Sequence, residues 1–281
     1  MSLMDYIKMR HLRGYLRAYK APLNVILESR HDIKGFKNKY KGQRCFIIGN
    51  GPSLTVEDLN LIQNEYSFAA NRIYKIFDNT CWRPTFYCIQ DMNVAKELGE
   101  EANIALKAAK HCFIRMRSYD STNKWLENHS NITYVPIVEK TNHVSKIGFA
   151  HNCENFIYDG WTVTYMSMQL AVYMGFSDIY LLGIDHSFPF EMKSDGSIKV
   201  VDTNKAAHFY ETADSNKGDK GYERRTSFKS FVTKAYSEAE IYSKKTNRFR
   251  IYNATRGGEL EVFERVELAE ILDGRCLNRE C

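Results

Sequence analysis

Residues 45–54 read Cys45-Phe46-Ile47-Ile48-Gly49-Asn50-Gly51-Pro52-Ser53-Leu54. An apolar run with adjacent β-branched residues enters two glycines and a proline, the pattern of a buried strand that stops in a tight turn. The glycines allow backbone to approach a ligand closely. Ser53 or Thr55 could cap a following helix, whose open N–H groups would then face an anion. Strand, glycine turn and helix form the phosphate-binding end of doubly wound α/β folds. Such a turn can also serve only to reverse the chain. Neither G-x-x-x-x-G-K-[ST] nor G-x-G-x-x-G is present, since Leu54 fills the place of the last glycine.

Outward from this stretch, short β-branched runs alternate with amphipathic ones, which predicts an α/β fold with a mostly parallel sheet flanked by helices. Strands are expected at 44–48, 66–70, 85–89, 112–115, 132–135, 179–183 and 250–252. The clearest helices are expected at 95–110, 163–174 and 228–244, the second capped by Thr162 and closed by Gly175. Residues 186–226 break the rhythm. They are polar and too long for an ordinary connection, which reads as a lid-like insertion. The expected division is a basic N-terminal helical segment (1–41), a nucleotide-binding catalytic domain (42–272) that includes the insertion, and a C-terminal tail (273–281).

The chain has 281 residues, 44% hydrophobic and 26% charged, an ordinary globular balance able to bury a real core. Its 18 Tyr and 16 Phe serve the core first, and also suit pockets where a flat ring or sugar face stacks. Seven cysteines without a C-x-x-C pair indicate a reduced, cytoplasmic chain, and no His or second Cys pair near Cys276 and Cys281 completes a zinc set. No secretory leader opens the sequence, and no apolar run approaches the roughly 20 residues that span a bilayer. Charge is uneven: residues 1–44 hold eleven Lys/Arg against Asp5, Glu28 and Asp32, a net +8 within a chain whose total is +5. That imbalance invites a phosphate-bearing partner or peripheral contact with the anionic inner face of a membrane. Tyr6, Ile7, Leu12, Tyr15, Leu16 and Tyr19 recur among Lys8, Arg10, Arg13, Arg17 and Lys20 at near-helical spacing, which equally suits a helix packed on the domain. Nothing calls for nucleic acid, and homo-oligomer formation is left open.

Two further expected strands end in polar pairs, Asn71-Arg72 and Gln90-Asp91. Ligands of open α/β sheets lie outside the carboxyl ends of the strands, so these side chains should converge on one crevice. Amides offer a base or ribose both donor and acceptor, and Arg72 can clamp a phosphate; each residue alone is equally a turn or surface group. A third strand end delivers Asp185 and His186 together. Asp185 suits a ribose hydroxyl or a metal, and His186 a base, an orienting donor or a satisfied core histidine. Within the polar segment His208 could take a proton from a hydroxyl under a closed lid, or be a surface histidine. Tyr222, Arg224 and Arg225 could neutralise phosphate charge or form a solvated patch. The Arg256-Gly257-Gly258 turn either helps to close the pocket or only reverses the chain.

The blocks Ile47 to Leu54, Ala70-Asn71-Arg72, Gly160 to Phe188 and Ile251 to Gly258 resemble the MptE-like family. That family spans polysaccharide-locus proteins, flagellin-modifying glycosyltransferases and an archaeal hydroxymethylpterin diphosphokinase. More distantly, the blocks are similar to the sialyltransferases of glycosyltransferase family 42. The resemblance runs from about Gly42 to Leu272 and implies a variant Rossmann fold with a lid over a nucleotide donor. Carried over from the sialyltransferase motifs, Asn50 and Asn71 would contact the donor's phosphates and sugar or nucleotide, and Gly183 and Asp185 its ribose and base. Those enzymes need no metal for chemistry and use a lid histidine as base. No histidine stands at the matching place near Tyr222 to Thr226, so the role passes to His208, to His186, or is absent.

The expected function is sialyltransferase-like sugar transfer from a CMP- or UDP-sugar to a surface polysaccharide or glycoconjugate acceptor, by direct displacement of the nucleotide. Gly49, Asn50, Gly51, Ser53, Asn71, Arg72, Asp91, Thr162, Gly183, Asp185, Tyr222 and Arg224 are the expected donor-site residues. His208, then His186, with Asp185, are the expected catalytic ones. No resident metal is expected, and Mg²⁺ is left open. The rivals are an ATP-dependent diphosphokinase that holds Mg²⁺ on Asp91 and Asp185, and a non-catalytic nucleotide-sugar-binding protein docked at a membrane.

Overall fold

The computed structural model describes residues 21–122, 130–138, 147–187, 190–192, 198–200, 208–209 and 228–273. Strands are β1 (Arg44–Ile48), β2 (Ser67–Ala70), β3 (Phe86–Ile89), β4 (His111–Arg115), β5 (Ile132–Val135), β6 (Ile137–Val138), β7 (Ile157–Tyr158), β8 (Asp178–Leu182), β9 (Phe190–Met192), β10 (Ile198–Val200), β11 (Arg250–Asn253) and β12 (Glu264–Arg265). Eight of them form one sheet in the order β12-β11-β8-β1-β2-β3-β4-β5, with all neighbours parallel. This is the mostly parallel, helix-flanked α/β sheet that the alternating pattern predicts, in the Rossmann-like arrangement that the resemblance implies. From β1 the chain winds outward through β2 to β5, then returns to place β8 on the other side of β1. The winding therefore reverses between β1 and β8, which opens a crevice at their carboxyl ends.

Alternate residues of each central strand feed two cores. Cys45 and Ile47 face one layer with Phe68, Phe86, Ile179 and Leu181, while Phe46 and Ile48 face the other with Tyr87, Ile114, Tyr180 and Leu182. Strands buried on both faces read as continuous apolar runs, which is why the sequence gives them away. The helix Val163–Tyr173 has nine buried positions among its eleven residues, so it lies inside the protein rather than on its surface. Its buried Gln169 is fully satisfied: Oε1 accepts from the N–H groups of Ala150 and Tyr158, and Nε2 donates to the carbonyls of Tyr158 and Tyr165. The amide thereby fixes this helix against β7 and the loop before it.

The expected helix at 95–110 is broken into Met92–Leu98, a single 3-10 turn and Ala102–Ala108. Gly99 adopts φ 50°, a left-handed conformation that ends the first piece. The expected helices at 163–174 and 228–244 are observed as Val163–Tyr173 and Phe228–Thr246, and Gly175 at φ 91° closes the former. A further helix, Leu23–Gly35, falls inside the basic segment. The amphipathic stretch 6–20, most of the insertion, Tyr222, Arg224, Arg225, Cys276 and Cys281 lie outside the described residues. Within the insertion, β9 and β10 pair antiparallel. No helix among the described residues is long and apolar enough to cross a membrane.

Candidate functional site

The loop after β1 lies against the end of β8. A Cβ on Gly49 would sit 2.2 Å from the Gly183 carbonyl oxygen, and one on Gly51 would sit 1.8 Å from Asp185 Oδ2. Glycine is required at both places by backbone contact and by a carboxylate. Gly49 N–H donates to the Leu182 carbonyl at 2.8 Å and Gly51 N–H to that of Gly183 at 2.9 Å, so the turn continues the β1–β8 pairing past the strands. The Ser53 hydroxyl donates to Asp185 Oδ2 at 2.8 Å. Behind Asp185, the Gly257-Gly258 turn packs close enough that a Cβ on Gly258 would lie 2.7 Å from the Asp185 carbonyl oxygen, and Glu259 N–H donates to that oxygen at 2.7 Å. The 256–258 turn is thus a buttress for Asp185. Arg256 completes it by pairing with Asp58 at 2.6 Å.

These elements border a cleft of about 240 Å³ at the carboxyl ends of β1, β2 and β8. Gly49, Asn50, Gly51, Asn71, Thr162, Gly183, Asp185, His186 and His208 all line it. The structure thus brings Asn50, Asn71 and Asp185 to one hollow. Asn50 Nδ2 donates to the Ala70 carbonyl at 3.1 Å, which fixes the amide's orientation, because that carbonyl needs a donor. Its Oδ1 is consequently aimed away from β2, buried and without a partner among the described residues. Asn71 stands at φ 53°, a left-handed position that asparagine tolerates, while Tyr87 donates to its carbonyl at 2.6 Å. Its Oδ1 is likewise buried and unpartnered. Buried acceptors without donors are rare and costly, by about 1–3 kcal/mol each, so a ligand's O–H or N–H groups are the fitting complement.

The anion-facing helix differs from the expected one. The helix after β1 (Val56–Leu61) is closed by a capping box between Thr55 and Asp58, and Glu57 and Asp58 stand in its first turn. The box takes up the Thr55 and Asp58 N–H groups, and the carboxylates of Glu57 and Asp58 repel phosphate. The helix that borders the cleft with its positive end is Val163–Tyr173, through Thr162, Val163 and Thr164.

His186 adopts φ 51° and its Nε2 lies 2.8 Å from Thr233 Oγ1. The Thr233 hydroxyl donates its only hydrogen to the Lys229 carbonyl at 2.8 Å, so Nε2 carries the imidazole proton and Nδ1 the lone pair. Burial brings the His186 pKa down to about 4, with the nearby Lys229 charge adding and Glu259 opposing. The ring is therefore neutral at physiological pH. His208 lines the cleft from the insertion, where Phe209 N–H donates to the Asn50 carbonyl at 2.9 Å. Tyr236, buried on the helix Phe228–Thr246, has its pKa pushed up to about 12 by burial, against hydrogen bonds from Thr164 and Thr162.

Of the other expected residues, Ser53 acts through Asp185. Arg72 and Asp91 are absent from the cleft lining: Arg72 pairs with Glu97 at 3.4 Å, and Asp91 caps the helix Met92–Leu98 by accepting from Asn93 and Val94 N–H. Trp161, Thr164 and Tyr236, none of them among the expected site residues, also line the cleft. Trp161 is 39% exposed at φ 64°, an uncommon conformation for so bulky a residue, and it stacks on Phe231 with centroids 5.3 Å apart. Its backbone N–H donates to Asp159 Oδ1 at 2.7 Å. Asp159 in turn is held by Gln90 Nε2 at 3.0 Å and by Arg115 at 3.8 Å. A tryptophan between Gly160 and the cap Thr162, in a stretch otherwise small or aliphatic, was the available signal.

A parallel doubly wound sheet with a polar cleft at its switch point and a helix N-terminus on the rim is a Rossmann-like arrangement. The family model described as 6-hydroxymethylpterin diphosphokinase MptE-like matches residues 19–191, more than half of the sequence, and the chain belongs to the MptE-like family. Among solved structures, the MAf glycosyltransferase from Magnetospirillum magneticum AMB-1 is similar with a TM-score of 0.50 and 13% identity. The match covers 87% of this chain but only 39% of that one, and at this identity it speaks for the fold. No curated protein matches the chain.

Proposed function

We infer that the chain is a glycosyltransferase that binds a nucleotide-activated sugar in the β1–β8 cleft and transfers the sugar to a surface polysaccharide or glycoconjugate acceptor. The observation that carries this reading is the pair of buried acceptor oxygens, Asn50 Oδ1 and Asn71 Oδ1, in the same cleft as the positive end of the helix Val163–Tyr173. Unmatched acceptors suit the hydroxyls of a sugar or ribose, and a helix N-terminus suits phosphate. A nucleotide sugar carries both. In the transfer, the acceptor oxygen attacks the anomeric carbon, the bond from that carbon to the phosphate oxygen breaks, and the nucleotide leaves with the electron pair. His208 is the proposed base for the acceptor proton. His186, neutral and with a depressed pKa, is the weaker base and serves better as an acceptor of a hydrogen bond at Nδ1. Dipolar stabilisation of the departing phosphate by the helix terminus needs no resident metal.

The family's description as 6-hydroxymethylpterin diphosphokinase MptE-like favours one rival, an ATP-dependent diphosphokinase. That reading would lend Asp91 and Asp185 to Mg²⁺, but Asp91 is committed as a helix cap outside the cleft and Asp185 accepts from Ser53. Thermal-shift measurements with CMP, UDP, GDP, ATP and UDP-sugars, each with and without Mg²⁺, separate the two. Stabilisation by CMP or a UDP-sugar without Mg²⁺ is the expected result. Stabilisation by ATP alone, and only with Mg²⁺, would replace transfer by the diphosphokinase reading.

A further inference from the structure

The amino end of the sheet carries a second hollow of about 460 Å³, larger than the cleft at the other end. Its apolar side is fixed: Tyr173, Phe176 and Phe249 are buried, and the Tyr242 ring stacks on Phe149 with centroids 5.1 Å apart. Its rim is cationic. Lys41 stands in the turn before β1 and Arg248 in the turn before β11, and neither side chain has a hydrogen-bond or ion-pair partner among the described residues. Lys37 also lines the hollow, but is paired with Glu154 at 3.5 Å. No carboxylate is among the described lining residues.

The turn that carries Lys41 is held in place. The N–H groups of Asn38, Tyr40 and Gly42 donate to the carbonyls of Tyr173, Met174 and Gly175 at 3.1, 2.9 and 3.0 Å. Those carbonyls form the negative end of the helix Val163–Tyr173, and three donors on them reduce the repulsion that an anion nearby would meet. Gly175 makes the contact close: a Cβ there would lie 3.1 Å from the Cα atoms of both Asn38 and Lys41. Two cations with no counter-charge among the described residues, Lys41 on a fixed turn and Arg248 across from it in the turn before β11, beside a fixed aromatic wall, are arranged for an anion with an apolar neighbour. Lys37 and Lys41 also belong to the strongly basic first 44 residues, whose charge the cleft does not use.

We propose that this hollow is a second binding site, independent of the cleft, for a phosphate-bearing ligand held by Lys41 and Arg248. A soluble phosphate compound and the headgroup of an anionic lipid share this chemistry. The test uses the full chain with two probes, inorganic pyrophosphate by titration calorimetry and phosphatidylcholine vesicles with or without phosphatidylglycerol by co-sedimentation. Wild type, the doubles Lys41→Glu/Arg248→Glu and Lys41→Gln/Arg248→Gln, and the cleft variant Asn50→Ala are compared. The expected result is that at least one probe binds wild type and Asn50→Ala alike, about tenfold more weakly to the glutamine double and not measurably to the glutamate double. Loss of pyrophosphate binding identifies the soluble source, and loss of sedimentation with phosphatidylglycerol the lipid source. Binding of neither probe to wild type, or binding of both unchanged in the two doubles, overturns the site. Because Asn50→Ala alters only the cleft, a failure of the transfer reading would leave this outcome unaffected.

Discussion

The carboxyl ends of β1 and β2 and those of β3 and β4 bear similar polar residues, yet they use them differently. Asn50 and Asn71, after β1 and β2, each leave a buried oxygen in the cleft. Gln90 follows β3 and Arg115 ends β4, and both reach Asp159, which holds the Trp161 turn; Gln90 keeps one unmatched oxygen. The first pair lies beside the reversal of winding between β1 and β8, where the crevice opens. The second pair lies further out in one winding direction, where the loop 159–161 comes to meet it. A polar strand end faces an open cleft where topology leaves a gap and serves as a scaffold where a loop fills it.

Replacing Asp159 with alanine tests the scaffold half of that contrast and should have the largest effect. Its side chain is 14% exposed and that of Arg115 6%, so the change removes a carboxylate that faces a buried guanidinium and holds the Trp161 turn, and should cost about 3 kcal/mol of stability in denaturant titration. A loss under about 1 kcal/mol would mean that the pair is not a support. Gly49→Ala tests the ligand half. Its Cβ would meet the Gly183 carbonyl at 2.2 Å, and a loss of about 2 kcal/mol is expected, whereas Gly35→Ala, with nothing within 4 Å of its Cβ, should change stability by less than about 1 kcal/mol. Equal effects at both glycines would remove the argument from close approach.

Two smaller effects sharpen the comparison. Asn50→Ala should weaken binding of the cleft ligand found in the thermal-shift panel by about tenfold, since one buried hydrogen bond is lost, with at most about 1 kcal/mol taken from the fold. Unchanged affinity would show that its oxygen does not face the ligand. Trp161→Gly should leave stability within about 1 kcal/mol of wild type, because relief of the left-handed φ offsets the lost stacking on Phe231. Cleft-ligand affinity should still fall. A stability loss of several kcal/mol with unchanged affinity would make the indole a core residue only.

Particular residues show how far the sequence carried. β1 and β8 were legible because strands buried on both faces are apolar throughout, and their bounds fall within a residue of expectation. The expected convergence of Asn50, Asn71 and Asp185 followed from the rule that ligands lie outside carboxyl ends. Gly99 was not legible as a helix end, because apolar periodicity continues on either side of it and only its φ breaks the helix. Asp91 and Arg72 were misplaced for another reason: an exposed polar side chain after a strand can cap the next helix or pair across the surface, and residue type does not choose between these uses. The backbone angle of Trp161 depends on Asp159, itself set by two distant strands, so no local pattern could announce it.

His186 and His111 carry the comparison to a pair of matched side chains at opposite ends of the sheet. Each has Nε2 2.8 Å from a threonine hydroxyl, Thr233 for His186 and Thr133 for His111. Burial lowers the pKa of each to about 4, with Lys229 adding and Glu259 opposing at His186, and Asp32 opposing and Lys39 adding at His111. In the unfolded chain each would titrate near 6.5, so between these values the unfolded state binds more protons. The contribution of the neutral rings is therefore full above about pH 6.5 and is lost as pH falls toward 4, which unfolding free energies measured across that window should show as a decline. His111→Gln and His186→Gln should each flatten it. Saturating the cleft with the phosphate-bearing ligand proposed for it should raise the pKa of His186, through the added negative charge, and leave that of His111 unmoved in an NMR titration of the two rings. Movement of both, or of His111 alone, would place the anion somewhere other than the β1–β8 cleft.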